Sequence, residues 1–375
     1  MLRNSRRYLV LILVLAVLGY FLYRFRGSIT LEGFRWEMVG ASLRHARISL
    51  LLLSIAAIYA CYAIRALRWV RFCRWLGETH FASVYAATLA GFACTVLLGR
   101  AAEPVRPMLI ARKTSISMPS MFGVYVLERV ADMAATALLA GGALLFFEQR
   151  ETVSSGNALL LKLARSAGAL LLVALVGAIA FLIYFRYHGA EWLAKKLEHP
   201  NWRHGWRARA AALLEGFSDG LRGVRTWGDL AALAAYTALH WLLVVLIYFW
   251  IAHAFEGQLR SLSFAGAALV LAFTMVGSAA QLPGVGGGSQ VASFLVFTLI
   301  FGVDKEPAAV ATIVTWLVTF VACCLVGLPL LFHAGWSVGE LKRMARAEEV
   351  AGEAELLAEA EHGGELNAES KETSE

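Results

Sequence analysis

The sequence predicts an all-α, polytopic helical membrane bundle with about 6–8 spanning helices and two re-entrant hairpins in an inverted repeat. Three observations carry this. Hydrophobic residues make up 59% of the chain, charged residues only 16%, and mean hydropathy is +0.63. A soluble domain carries about 25% charged residues, so this chain lacks the groups to cover a water-facing surface. Several apolar runs approach or exceed the ~20 residues that cross a hydrocarbon core. Strand-like alternation is absent, which disfavours a barrel and leaves helices as the spanning element. No soluble catalytic domain is expected.

The first run, Tyr8 to Phe25, follows Arg3, Arg6 and Arg7 and ends in Arg24-Phe25-Arg26. A signal peptide would need a small-residue cleavage site there, so an uncleaved first helix is expected. Further spans start near Ile48, Pro119, Ala158, Asp229 and Pro307. Two stretches differ. Ala82 to Leu109 is broken by Gly99 to Pro107, and Phe264 to Phe301 is broken by Gln281 to Gln290. Pro and Gly clusters free backbone groups that lipid cannot satisfy, so such breaks survive only inside protein or against a wet cavity.

Charge gives orientation. The basic N-terminus and the row Arg65, Arg68, Arg71 and Arg74, taken to follow the second helix, place both of those ends inside. The segment from Arg186 to Trp227 fits interfacial helices on the cytoplasmic surface. Arg24, Arg26, Arg35, Arg44 and Arg47 in the first loop run against the rule. The last 40 residues, 336–375, hold eleven Glu against four basic residues, a net −7, which leaves +14 for residues 1–335. This tail is expected to form a domain of its own, partly disordered, beside a membrane domain over 1–335. With hairpins at both broken stretches, the crossings give helix–hairpin–helix twice, in opposite orientations, with both termini cytoplasmic. The alternative is about eight to ten plain crossings.

The five cysteines, Cys61, Cys73, Cys94, Cys323 and Cys324, form no CxxC or His-paired spacing and imply no disulfide. Glu128 and Asp132 share a helix face with Arg129 between them. A charge at the centre of a lipid-facing helix costs roughly 2.5–3.5 kcal/mol, so these residues must face the interior and find partners. Arg106 suits an acid, and Glu103 suits Arg129. A buried network that only fixes helix register and a role in substrate passage are both consistent with this pattern. The Gly-rich stretch Pro283 to Ser289 permits close backbone approach. It either presents N–H groups to a lipid phosphate or makes a tight turn. His240 and His253 are expected to pack in the interior or at the interface. No nucleophile–base pair, metal spacing, P-loop or dinucleotide fingerprint occurs. No enzyme activity, metal, cofactor or nucleic-acid partner is therefore expected.

These marks resemble the lysylphosphatidylglycerol synthase transmembrane-region family of flippase-like membrane proteins, over roughly residues 8–335. The first mark is Gly-Arg-x-x-Glu-Pro-x-Arg, Gly99 to Arg106; the second is Glu128-Arg129-Val130-Ala131-Asp132; the third is Pro283-Gly284-Val285-Gly286-Gly287-Gly288. The family often carries Glu just after its Gly cluster, where this chain has Gln290, and that puts a proton or cation role there in doubt. The soluble aminoacyl-transfer domain of the full-length synthases is not seen. The resemblance implies a lipid transporter of the cytoplasmic membrane, handling a phospholipid or a polyprenyl (isoprenoid) lipid. Its substrate set would be Arg100, Glu103, Arg106, Glu128, Arg129, Asp132, Pro283, Gly284, Gly286, Gly287, Gly288 and Gln290. Arg106 and Arg129 would meet phosphate. The alternative is an accessory scaffold for a partner lipid synthase or glycosyltransferase, contacted through the acidic tail. A membrane-embedded transferase is the weakest reading.

Overall fold

A computed structural model describes residues 36–99, 102–148, 226–278, 281–282 and 286–333, with isolated positions 173, 177 and 223. The runs from Tyr8 and Ala158, the segment 186–225 and the acidic tail lie outside these residues or nearly so. Every long element described is a helix, as the apolar runs require.

A short helix α1 (Trp36–Arg44) sits in what was expected to be a loop. It is followed by α2 (Ile48–Cys73), α3 (Phe81–Leu98), α4 (Val105–Ala111) and α5 (Met118–Glu148). After the undescribed stretch come α6 (Trp227–Ala254), α7 (Phe264–Gly277) and α8 (Gly288–Leu295), the last continued by a π turn at Val296–Ile300. A final span starts as α9 (Lys305–Trp316), passes through a π turn at Leu317–Val321 and ends as α10 (Ala322–His333). Among the described residues, 48–73, 81–98, 227–254 and 305–332 are long and apolar enough to cross a membrane. The 31 residues of α5 are also long enough.

The pair α2 and α6 forms the spine. They run antiparallel: Arg47 N donates to Ala254 O at one end, and Arg71 and Arg74 reach Asp229 at the other. Thr226 and Asp229 cap the start of α6 reciprocally, so Asp229 serves both the helix N-terminus and the arginines.

Both broken stretches are hairpins. In the first, α4 folds back on α3 so closely that a Cβ at Gly91 would lie 2.6 Å from Arg106 Cβ. The chain then returns to its starting end, where Ile116 Cγ1 lies 2.9 Å from the Cβ position of Gly77. Helix α3 ends at Gly99, at φ +82°, and α4 begins after Pro104, so Arg106 and Pro107 are already helical. In the second, a Cβ at Gly277 would lie 2.3 Å from Gly288 O, and the start of α7 meets Phe301 across Gly266. A two-residue antiparallel pair, Gln281–Gly287 and Leu282–Gly286, closes the tip. At ~1.5 Å per residue, α7 and α8 with its π turn are each only about 20 Å long, too short to cross independently. Small residues let the backbones approach, as membrane helix packing favours.

The first hairpin starts from the Cys73 end of α2 and the second from the Ala254 end of α6. Because α2 and α6 are antiparallel, the hairpins enter from opposite ends. The sequence pattern of two inverted helix–hairpin–helix units is thus present in the fold. Its second unit carries both π turns, and Tyr59 and Tyr62 of α2 donate to the carbonyls of Ala322 and Thr319 in and beside one of them, at 2.6 and 3.3 Å.

Candidate functional site

The charged residues converge where α2, α4, α5 and α6 meet. Glu128 and Asp132 lie one turn apart on α5, and Arg65 and Arg68 one turn apart on α2. The two pairs interlock. Arg65 Nη1 donates to Glu128 Oε1 at 3.0 Å and to Asp132 Oδ2 at 2.7 Å. Arg68 Nη2 donates to Glu128 Oε1 at 2.7 Å and to Asp132 Oδ1 at 2.9 Å. Arg106, brought in by the first hairpin, forks onto both oxygens of Glu128. Glu128 is fully buried, and Arg68, Arg106, Asp132 and Arg65 are buried beside it.

The neighbouring α6 supplies neutral partners. Thr237 Oγ1 accepts from Arg68 at 2.9 Å, and Trp241 Nε1 donates to Asp132 at 3.4 Å. His240 Nε2 lies 3.2 Å from Arg65 Nε, which can only donate. His240 is therefore an acceptor at Nε2 and carries its proton on Nδ1. Around the cluster, the Arg106 guanidinium lies over Trp69, Phe92 and Tyr125 at 4.9, 5.2 and 5.8 Å from the ring centres. These faces favour a cation.

One edge of the cluster opens into a small cleft of about 10 Å³ lined by Gly91, Phe92, Thr95, Glu103, Arg106, Tyr125 and Arg129. Arg129 is 32% exposed and Glu103 25%. Tyr125 donates to Glu103 at 2.5 Å, and its ring lies 5.4 Å under the Arg129 guanidinium. Arg129 makes one hydrogen bond, Nη2 to Asp132 at 3.3 Å, and stands 3.8 Å from both Glu103 and Glu128. Its other N–H groups have no close acceptor among the described residues. Among the described residues, Arg65, Arg68, Arg106 and Arg129 face Glu103, Glu128 and Asp132, so one positive charge is left over. The exposed member carries that surplus toward the cleft, which suits an oxyanion.

Of the expected site residues, Glu103, Arg106, Glu128, Arg129 and Asp132 come together, with the pairings Arg106–Glu128 and Arg129–Glu103 as expected. Arg100, Pro283 and Gly284 lie outside the described residues. Gly286, Gly287, Gly288 and Gln290 belong to the other hairpin. There Gly287, at φ +112°, turns the chain into α8, and Gln290 Oε1 accepts from Gly287 N at 2.7 Å and from Ser289 Oγ at 2.8 Å. Gln290 thus caps α8, and one of the N–H groups expected to meet phosphate is already bonded to it.

Two expectations need correction. Arg65 and Arg68 do not follow the second helix; they lie within it and are buried. Only Arg71 and Arg74 mark its polar end. His240 is not a plain packing residue but a member of the network. The three-residue spacing of Arg65 and Arg68 amid Ala66, Leu67, Trp69 and Val70 was the available signal: two charges on one face of an apolar helix need counterions. Nothing local in the sequence marks Thr237, His240 or Trp241.

The chain matches the family described as Lysylphosphatidylglycerol synthase TM region over residues 8–327. No curated protein matches it.

Proposed function

This chain belongs to the lysylphosphatidylglycerol synthase TM region family, and from that premise we propose that it is a lipid transporter, not an enzyme, that shelters a phosphate-bearing lipid head group at the Arg129 cleft. The observation behind this reading is the surplus guanidinium: the buried arginines are consumed by Glu128 and Asp132, while Arg129 stays a third exposed with N–H groups unspent. Its planar fork fits two phosphate oxygens, and Tyr125 and Phe92 wall the cleft. The head group would enter sideways with its tails left in lipid. Hairpins entering from opposite ends offer a route to each face of the membrane. The substrate class is an anionic phospholipid or a polyprenyl phosphate lipid. The membrane is the cytoplasmic one, and the end carrying Arg71, Arg74, Arg112 and Lys113 faces the cytoplasm.

Transport of labelled lipids in proteoliposomes tests the reading. Arg129→Gln is expected to insert and fold but lose most transport, and Arg129→Lys to recover part of it, because Lys lacks the bidentate fork. A folded Arg129→Gln protein that transports at the wild-type rate would remove Arg129 from the substrate site.

A further inference from the structure

A second groove, of mixed polar and apolar lining, lies at the loop joining α2 to α3. The loop joins the span α2 to the mouth of the first hairpin and therefore sits at the membrane surface. The groove has a volume of about 710 Å³ and includes Arg74, Trp75, Glu78, Thr79 and His80 in its lining. It is held in shape from below. Asp229, 1% exposed, pairs with Arg74 Nη2 at 2.8 Å and Arg71 Nε at 3.0 Å, and accepts from Trp75 Nε1 at 3.1 Å. The Arg74 guanidinium lies 4.4 Å from the Trp75 ring centre, 32% exposed, with one of its N–H groups spent on Asp229. Among the described residues, two guanidinia share this one carboxylate, which leaves the Arg74 edge of the groove net positive. On the same wall stands Glu78, exposed and in no ion pair among the described residues. The groove thus offers an anion site and a cation site side by side. Trp75 and Phe81 are each 41% exposed beside it, the placement of interfacial aromatic residues that sit at head-group level.

We propose that this groove binds the zwitterionic head group of a membrane phospholipid with a primary ammonium, phosphate on Arg74 and ammonium on Glu78. A lipid with an uncharged head group satisfies Arg74 only. A quaternary ammonium brings charge to Glu78 but no N–H donor. The site is separate from the Arg129 cleft and does not rest on the transport reading.

Native mass spectrometry of the purified protein with ethanolamine, choline and glycerol phospholipids is the test. It is run on the wild type and on Arg129→Gln, so that lipid held in the cleft is told apart. The ethanolamine lipid is expected to be retained about threefold over the other two, the scale of a partly exposed ion pair. Glu78→Gln is expected to abolish that preference while binding of all three persists, and Arg74→Gln to weaken all three. Soluble phosphoethanolamine is expected not to compete if the source is a lipid; competition would assign the groove to a free phosphate ester and overturn the lipid assignment. Because Glu78 is exposed and unpaired, its substitution leaves the fold intact. Equal retention of the three lipids by the wild type, or an unchanged preference in Glu78→Gln, overturns the proposal.

Discussion

Glu128→Gln separates the structural part of the charged cluster from its exposed edge. Glu128 is fully buried and accepts from Arg65, Arg68 and Arg106, which arrive from two different helices. A Gln in its place keeps one acceptor oxygen and turns an N–H donor toward guanidinium donors. Among the described residues, Asp132 is then the one remaining buried carboxylate for those three arginines. Removing one partner of a buried pair costs about 3–5 kcal/mol because the other charge is left uncompensated. At roughly 2–4 °C per kcal/mol, that lowers thermal stability in detergent by about 10 °C. Arg129→Gln behaves differently. Its single hydrogen bond is 3.3 Å long and its side chain is 32% exposed, so its contribution is below about 1 kcal/mol. A double-mutant cycle of Glu128→Gln with Arg106→Gln is expected to show coupling of about 0.5–3 kcal/mol, as for residues in direct contact. The measurement is thermal unfolding of the purified variants. If Glu128→Gln melts with the wild type, or Arg129→Gln falls as far as Glu128→Gln, the division into a buried frame and an exposed ligand is wrong.

Three other outcomes are expected. Single cysteines at Glu78 and Lys113, exposed on either side of the first hairpin, will label from one face of the membrane in a Cys-free background. Cysteines at Glu256 and Asp304, exposed on either side of the second, will label from the other face; labelling of either pair from both faces would mean plain crossings. Gly91→Ala, whose Cβ would lie 2.6 Å from Arg106 Cβ, will push the first hairpin off α3 at a cost of about 1–3 kcal/mol and impair transport, while Gly141→Ala, with nothing within 4 Å, will be neutral or slightly stabilising in the same melting assay. Tyr59→Phe removes a 2.6 Å hydrogen bond to Ala322 O, and a loss of about 0.5–1.5 kcal/mol is expected; a variant as stable as the wild type would mean that the carbonyl finds another donor.

Much of the fold was legible because bilayer physics is strict. The breaks at Gly99 and near Pro283 were readable as hairpins, since Pro and Gly cannot leave backbone groups bare in lipid. The start of α2 at Ile48 and the acid pair on α5 followed from apolar runs and helical spacing. The π turns at Val296–Ile300 and Leu317–Val321 were not legible; the second receives Tyr62 on Thr319 O, a contact from a distant helix that no local pattern announces. The site was half legible. Glu128, Arg129 and Asp132 announce themselves as charges in an apolar helix. Arg65 and Arg68 were misassigned because a positively charged helix end and a buried arginine pair look alike until the acids on α5 are set against them. The distinction lies in Asp229: it neutralises Arg71 and Arg74 at the surface end, and so separates the arginines that mark topology from those that build the cluster.

The two inverted units share a topology but not a chemistry, and the difference assigns their roles. The first hairpin is bound to the bundle by Arg106 on Glu128, a buried contact that cannot be opened without stranding charge. The second hairpin closes on itself through Gly277 against Gly288 and through its own short strand pair. Its buried polar residues Ser289 and Ser293 are uncharged and bond locally, and Ser293 also reaches Thr312 of α9 at 3.4 Å. Its α7 is held in the apolar core by Ala267, Leu269, Val270 and Leu271, each at most 1% exposed, where the first hairpin is held by buried ion pairs. A symmetric pair of hairpins thus becomes one half anchored by buried ion pairs and one half anchored by apolar packing. The same asymmetry explains why the charge motifs cluster in the first unit and the glycines in the second.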